Sequence, residues 1–282
     1  MTETTQVPTI TLNDGRAIPQ LGFGVFQVPP EDTAETTGLA LDVGYRHIDT
    51  AQGYGNEQGV GDAVRDSSLG RDAVWITSKL TNSMTTSDEI RTSFEETLRK
   101  LGSDYVDLFL IHWPLPKREG SDFVARWKVL EEFHADGRAR SIGVSNFEVE
   151  HLQRLAAECD VVPAVNQIEI HPYLLNEKVR TFGEAQGIAT EAWSPIAQGE
   201  VLSDPVITEI AERVERTAAQ VVLRWHVQRN SIVFPKSVTP ERIRENFELF
   251  DFELSDDDME AITSLDKGEA GRTGPNPNEF TG

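Results

Sequence analysis

The sequence predicts a single domain built as a (β/α)8 TIM barrel with an N-terminal β-hairpin closing the bottom. Three observations lead there. Short apolar runs alternate with helix-patterned segments roughly eight times along the 282 residues, the count that closes such a barrel. The run Val106–Ile111 is apolar on both faces, as a buried parallel strand requires. No linker-like stretch divides the middle of the chain, so residues 1–282 read as one unit of ordinary barrel size.

The hairpin comes first. Thr9–Leu12 and Ala17–Ile18 flank Asn13-Asp14-Gly15, and Asp-Gly is a strong tight-turn signal, giving a hairpin over 9–18. Leu21 to Phe26 reads as a strand, followed by a helix from Glu31 to Val43. His47-Ile48 is a strand, a helix begins near Asn56, and Val74 to Thr77 is a strand. The next helix, Thr86 to Lys100, carries the Thr86–Glu89 capping-box spacing and an apolar face of Ile90, Phe94, Leu98 and Leu101. After Val106–Ile111 comes a helix over Phe123–His134. Further strands fall at Ser141–Val144, Ala164–Ile168, Ile188–Trp193 and Ser231–Phe234, each followed by a helical segment. Thr239 is a good N-cap and Pro240 a good first helical residue. The stretch 268–282, rich in Gly, Pro and Asn, is a C-terminal loop, either disordered or folded back over the active rim. An open doubly wound sheet is the competing architecture. It usually advertises itself with G-x-G-x-x-G, but Gln27 stands where the third glycine belongs after Gly22-Phe23-Gly24. Those two glycines instead ease a tight strand end.

A formal net charge of −21 implies a solvated, repulsive surface or adaptation to a saline cytosol. No basic stripe is visible, which argues against nucleic acid as a partner. A single cysteine, Cys159, rules out an intrachain disulfide and fits a reducing cytoplasm. The polar stretch Met1–Val7 has no basic or apolar leader pattern. No apolar run approaches the ~20 residues that span a bilayer, so a membrane is not expected as a partner and a cytoplasmic protein is.

Three polar residues sit at the ends of apolar runs: Asp49 after His47-Ile48, Lys79 after Val74–Thr77, and His112 after Val106–Ile111. Strand C-termini converge on one rim of a parallel barrel. Taken singly, Asp49 reads as a cap or surface acid, Lys79 as a snorkelling strand-end lysine, and His112 as a core residue. Together with Tyr54, set between Gly53 and Gly55 without neighbouring side chains, they compose a proton-delivery site. A phenol of pKa ~10 is a poor acid near neutrality. A nearby ammonium lowers that value, and Asp49 supplies Lys79 with a counter-ion. Such a site, acting on a carbonyl, needs a hydride source. Lys236, Ser237, the helix start at Thr239-Pro240 and Arg242 form a cation-rich segment suited to a phosphate, or an ordinary capped helix with solvated charges.

At this point the chain resembles the aldo-keto reductase family, most closely its bacterial 2,5-diketo-gluconate reductase branch. The motifs are His47-Ile48-Asp49-Thr50-Ala51 with Tyr54-Gly55-Asn56-Glu57, Ser78-Lys79-Leu80, Leu110-Ile111-His112-Trp113-Pro114, Gly143-Val144-Ser145-Asn146-Phe147, Val165-Asn166-Gln167-Ile168-Glu169, Trp193-Ser194-Pro195 and Pro235-Lys236-Ser237. They run in family order from about Leu12 to Asp266.

The resemblance implies an NADPH-dependent oxidoreductase, often monomeric, that reduces small aldehydes and ketones: dicarbonyls, keto-sugars and aromatic aldehydes. Its catalytic tetrad would be Asp49, Tyr54, Lys79 and His112, with Tyr54 as general acid and no metal. Ser145, Asn146 and Gln167 match positions that hold the nicotinamide carboxamide, and Trp193 matches the ring that stacks on it. Ser194, Ile196, Gln198 and Gly199 follow the pyrophosphate. Lys236, Ser237, Val238 and Arg242 match the 2′-phosphate end, and Glu245 and Asn246 the adenine contacts. Phe26, Trp113, His112, Trp75 and the Arg272–Phe280 tail are the pocket candidates, with the core as the alternative place for Trp75. Two departures stand out: Thr81 where members often carry a Trp, and Glu200 beside the expected pyrophosphate path.

Two readings from other classes compete. A metal-dependent barrel hydrolase would use Asp49, His112 and Glu169-Ile170-His171, but His-x-His spacing is missing and Lys79 would repel a cation. A non-catalytic redox-sensing subunit would bind the nicotinamide cofactor without needing the tetrad.

Overall fold

The computed structural model describes residues 7–282, so all but Val7 of the polar opening stretch lies outside the described residues. The hairpin consists of β1 (Thr9–Thr11) and β2 (Ala17–Pro19), antiparallel with Thr11 opposite Ala17. Its turn needs the left-handed backbone of Gly15, φ +84°, which costs glycine nothing sterically. Leu12 and Ile18 pack with Leu108, Leu110, Val165 and Ile232. The hairpin therefore plugs the N-terminal end of the barrel, and Asp14 accepts a hydrogen bond from Ser141 Oγ at 2.6 Å.

Eight parallel strands follow in sequence order around the barrel. They are β3 (Phe23–Gly24), β4 (His47–Asp49), β5 (Trp75–Leu80), β6 (Val106–Ile111), β7 (Ala139–Ser145), β8 (Val165–Glu169), β9 (Ala189–Trp193) and β10 (Ile232–Val233). The helices between and after them are α1 (Pro30–Val43), α2 (Glu57–Asp66), α3 (Ser87–Leu101), α4 (Phe123–Ala135), α5 (Val149–Glu158), α6 (Glu177–Ala185), α7 (Pro205–Arg213), α8 (Ala218–Gln228), α9 (Pro240–Glu245) and α10 (Asp256–Thr263). The capping box at Thr86 and Glu89 forms as expected.

Two strands are shorter than their apolar runs. β3 and β10 have two residues each because they meet at the closing seam. There Leu21 bridges Val233, Gly22 N–H donates to Val233 O at 2.8 Å, and Val233 N–H donates to Gln20 O at 3.0 Å. The glycines serve close approach: a Cβ on Gly24 would stand 2.7 Å from Phe234 O, and one on Gly22 2.8 Å from the His47 ring. Thr239 precedes α9, but its side chain caps nothing; instead its N–H donates to Ser237 Oγ at 3.1 Å.

Strand side chains alternate between two cores. Outward residues such as Ile48, Ile76 and Phe109 pack under the helices, where Phe94 stacks on Phe133 at 4.1 Å and meets Phe109 at 4.7 Å. Each such buried ring contributes about 1.5–3 kcal/mol. Inward residues become polar toward the C-terminal rim: Asp49, Lys79, Gln167 and Glu191 are all buried there. The strand registers set Asp49 opposite Thr77 and Lys79 opposite Leu110. This polar layer stands above the apolar floor and beneath the rim.

Candidate active site

The rim carries a cavity of about 780 Å³ lined by Asp49, Tyr54, His112, Trp113, Gln167 and Trp193 among others. At its base Lys79 Nζ, fully buried, donates to Asp49 Oδ1 at 2.6 Å, to Thr50 O at 2.9 Å and to the Tyr54 hydroxyl at 3.3 Å. Three acceptors saturate the three donors of an ammonium. Tyr54 sits on a 3-10 turn, Gln52–Tyr54. That turn is held by Gln52, whose Nε2 donates to Thr97 Oγ1 at 3.0 Å and whose Oε1 accepts Thr81 N–H at 2.9 Å. The Tyr54 ring is not bare, as its flanking glycines suggest, but half-buried. It contacts Phe26 at 4.9 Å and His112 at 5.8 Å, with Lys79 Nζ 4.9 Å from its centroid.

Burial and charge compete across the cluster. Burial acts to lower the Lys79 pKa, yet Asp49, Tyr54 and their hydrogen bonds outweigh it, and the net shift is upward. Burial raises Asp49 against the opposing pull of Lys79 and the Gln167 hydrogen bond. The expected lowering of Tyr54 is present as Lys79's contribution, but burial pushes harder and the phenol's pKa rises. Tyr54 therefore holds its proton at neutral pH. Burial, then the charges of Lys79 and Arg126, drive His112 down to about 3, so its ring is neutral.

One network joins the far side of the barrel. Gln167 Nε2 donates to Asp49 Oδ2 at 2.9 Å and to Glu191 Oε2 at 2.8 Å. Ser145 Oγ donates to Gln167 O at 2.8 Å. Asn146, in a left-handed conformation at φ +64° that Asn tolerates, donates through Nδ2 to His112 O and Ser145 Oγ, each at 3.0 Å. Its Oδ1 accepts the Trp193 indole N–H at 2.8 Å.

Of the other sequence candidates, Phe26, Ser194, Ile196, Gln198 and Lys236 also line the cavity, while Gly199, Ser237, Val238, Arg242, Glu245 and Asn246 do not. Lys236, Val238 and Arg242 are exposed on the segment after β10. Glu245 accepts Thr217 Oγ1 at 2.6 Å. Trp75 is not a pocket residue: it opens β5, opposite His47 in register and at the far end from Lys79, and packs against the small cluster beside the hairpin. Thr81 and Glu200 also lie off the main cavity.

The sequence does not single out Glu191, and it offers Glu169 only as a motif residue and a hydrolase ligand. Glu191 is wholly buried beneath the cavity. Glu169 anchors the tail: its Oε1 accepts Thr273 N–H and Oγ1 at 2.7 and 2.6 Å and lies 3.1 Å from His171 Nε2, while its Oε2 accepts Gly274 N–H at 3.2 Å. Burial acts to raise the Glu169 pKa, but the hydrogen bonds from His171 and Thr273 bring it down, so Glu169 is a charged anchor. The tail thus crosses the rim, with Thr273, Gly274 and Pro275 lining the cavity and Phe280 packed on Trp113 at 4.4 Å. With Glu169 and His171 engaged in this anchor, the hydrolase reading loses its ligands. Among the described residues no three His, Cys, Asp or Glu side chains group as a metal site. Among the described residues, too, no helix is long and apolar enough to cross a membrane.

Comparison with known proteins identifies the family. Residues 20–267 match the aldo/keto reductase family. An aldo-keto reductase of Mycolicibacterium smegmatis is 52% identical over 97% of this chain and 98% of its own. The methylglyoxal reductase DkgA of Yersinia pestis is 47% identical over 98% of each. Among solved structures, a point mutant of Gox0644 in complex with NADPH superposes with a TM-score of 0.93 at 45% identity, covering 98% of this chain and 99% of that one. A buried acid–lysine–tyrosine cluster on the rim of a parallel barrel, within a chain this similar throughout, leads to one conclusion: the protein belongs to the aldo/keto reductase family.

Proposed function

We propose that this enzyme reduces small aldehydes and ketones to alcohols with NADPH, taking dicarbonyls such as methylglyoxal, keto-sugars and aromatic aldehydes. The observation that carries this reading is the Lys79 ammonium bound at once to Asp49 and to the Tyr54 hydroxyl at the cavity base. The similarity to a methylglyoxal reductase supports the substrate class.

The residues fit a nicotinamide dinucleotide. Trp193 offers an indole face to the cavity, and Gln167 Oε1 accepts no hydrogen bond from the described residues. Lys236 and Arg242 have no carboxylate within ion-pair distance among the described residues, in a chain whose net charge is −21. They would take the 2′-phosphate, Ser194 and Gln198 would follow the pyrophosphate, and Asn246 would approach the adenine. NADPH supplies the hydride when bound.

The chain's own part is the proton and the orientation. His112, neutral, directs the carbonyl oxygen toward Tyr54. The Tyr54 hydroxyl gives its proton to that oxygen as negative charge develops there. Lys79 stabilises the phenolate left behind, and Asp49 together with Thr50 O keeps the ammonium in place. Trp113 and Phe26 form apolar walls, and the tail narrows the mouth. The test is a carbonyl panel covering methylglyoxal, aromatic aldehydes, keto-sugars and α-keto esters, run with NADPH and with NADH. Turnover of small dicarbonyls with clear NADPH preference is expected. Cofactor binding with no carbonyl turned over would favour the sensor reading instead.

A further inference from the structure

Glu191 is a buried acid that the proton-transfer scheme leaves unused. It lies on β9 two residues before Trp193, has no exposed surface, and faces the barrel interior. Its Oε2 accepts from Gln167 Nε2, and its Oε1 has no partner. The same Gln167 nitrogen donates to Asp49 Oδ2 across the barrel. A primary amide has two N–H bonds and one carbonyl oxygen. Here both N–H bonds are taken by carboxyl groups, from β4 on one side and β9 on the other.

An exposed Gln side chain turns over easily and offers either end to a ligand. Turning this one would set its oxygen against the Asp49 carboxylate and strand that buried acceptor, which is costly in a desolvated site. The cavity therefore meets Gln167 as an acceptor. We infer that Glu191 is a positioning residue that, with Asp49, clamps the Gln167 amide so that its oxygen faces the cavity and selects the N–H of a cofactor carboxamide. This rests on the nicotinamide reading given above.

The groups facing Glu191 are compatible with the role. Asp49 stands across the interior, Lys79 beyond it, and the neighbouring strand β10 brings only Ile232 into register. Burial, then the Asp49 charge, push the Glu191 acid up to about 8, against Gln167 and Lys79, which pull it down. Near neutral pH the acid keeps its proton, Oε2 still accepts from Gln167, and two full negative charges do not share one amide.

The test measures binding without turnover. NADP+ and its 3-acetylpyridine analogue, in which a methyl ketone replaces the carboxamide, are titrated against the wild type, Glu191→Gln and Glu191→Leu by tryptophan fluorescence. The wild type should favour NADP+ over the analogue by about tenfold, the loss of one hydrogen bond. Glu191→Gln retains a neutral acceptor for Gln167 and should keep that ratio within about twofold. Glu191→Leu frees one N–H and should bring the ratio to about threefold or less, chiefly through weaker NADP+ binding. A Leu variant with the wild-type ratio and an unchanged circular dichroism spectrum overturns the clamp while leaving the cofactor reading intact. If the Leu variant does not fold, the wild-type ratio decides, and parity between the two ligands overturns the clamp. A wild type that binds neither ligand overturns the cofactor reading as well.

Discussion

Replacing Lys79 with Met should make the protein's stability fall as pH rises through the mildly acidic range. In the wild type Lys79 is, among the described residues, the only cation within ion-pair distance of the buried Asp49. Met fills the volume of the stem but leaves Asp49 facing Glu191 through Gln167 with no counter-charge. Leaving a buried charge unpaired costs about 3–5 kcal/mol, unless the carboxyl takes up a proton. Burial already raises Asp49 while Lys79 pulls it down, so removing Lys79 raises it further. A folded-state acid with a raised pKa binds more protons than the unfolded chain. Stability then falls with rising pH, starting near the unfolded carboxylate value of about 3.9 and continuing until the folded group ionises. The slope is about 1.4 kcal/mol per pH unit, or up to about 2.7 kcal/mol between pH 5 and pH 7. Urea denaturation of Lys79→Met measured at pH 5, 6 and 7 gives that slope. The same series on Lys79→Met/Asp49→Asn subtracts the contributions of the groups that do not interact with Asp49. The single variant should lose stability with pH relative to the double. Parallel pH profiles would refute the electrostatic account of Asp49.

Two further perturbations separate the tail from the cofactor end. Glu169→Ala removes the acceptor of the Thr273 and Gly274 N–H groups; since hydrogen bonds to a charge are worth about 1.5–3 kcal/mol, tail opening should rise at least tenfold. Trypsin cleavage after Arg272 reads that opening, and unchanged cleavage would mean that other contacts hold the tail. Arg242→Ala should weaken NADPH binding by about tenfold or more and leave NADH nearly unaffected, as expected for a lost charge-assisted phosphate contact. Equal losses for both cofactors would remove Arg242 from the phosphate site.

The parts of the fold legible in the sequence are those set by local pattern. Val106–Ile111 coincides with β6 because both its faces are buried, and α3 begins at its capping box. The nearness of Asp49, Lys79 and His112 was legible because strand ends converge whatever the loops do. What escaped depends on distant partners. β3 and β10 are cut short by a seam joining residues more than two hundred positions apart. Trp75 starts the same strand that ends in Lys79 and so falls at the opposite end of the barrel. Glu191 looks like an ordinary polar position in an alternating strand. Only the pairing of β9 with β8, which sets it opposite Gln167, gives it a role. Glu169 likewise gains its role from a tail about a hundred residues away.

The central claim is that Tyr54 delivers the proton, and Tyr54→Phe tests it most directly. The substitution keeps the ring against Phe26 and His112 and deletes only the hydroxyl bound to Lys79. Steady-state turnover of methylglyoxal should fall by about 10²–10⁴, while NADPH affinity measured by fluorescence stays within about twofold, because the hydroxyl makes no cofactor contact in this account. Turnover within a few-fold of the wild type would contradict the assignment of Tyr54 as the acid.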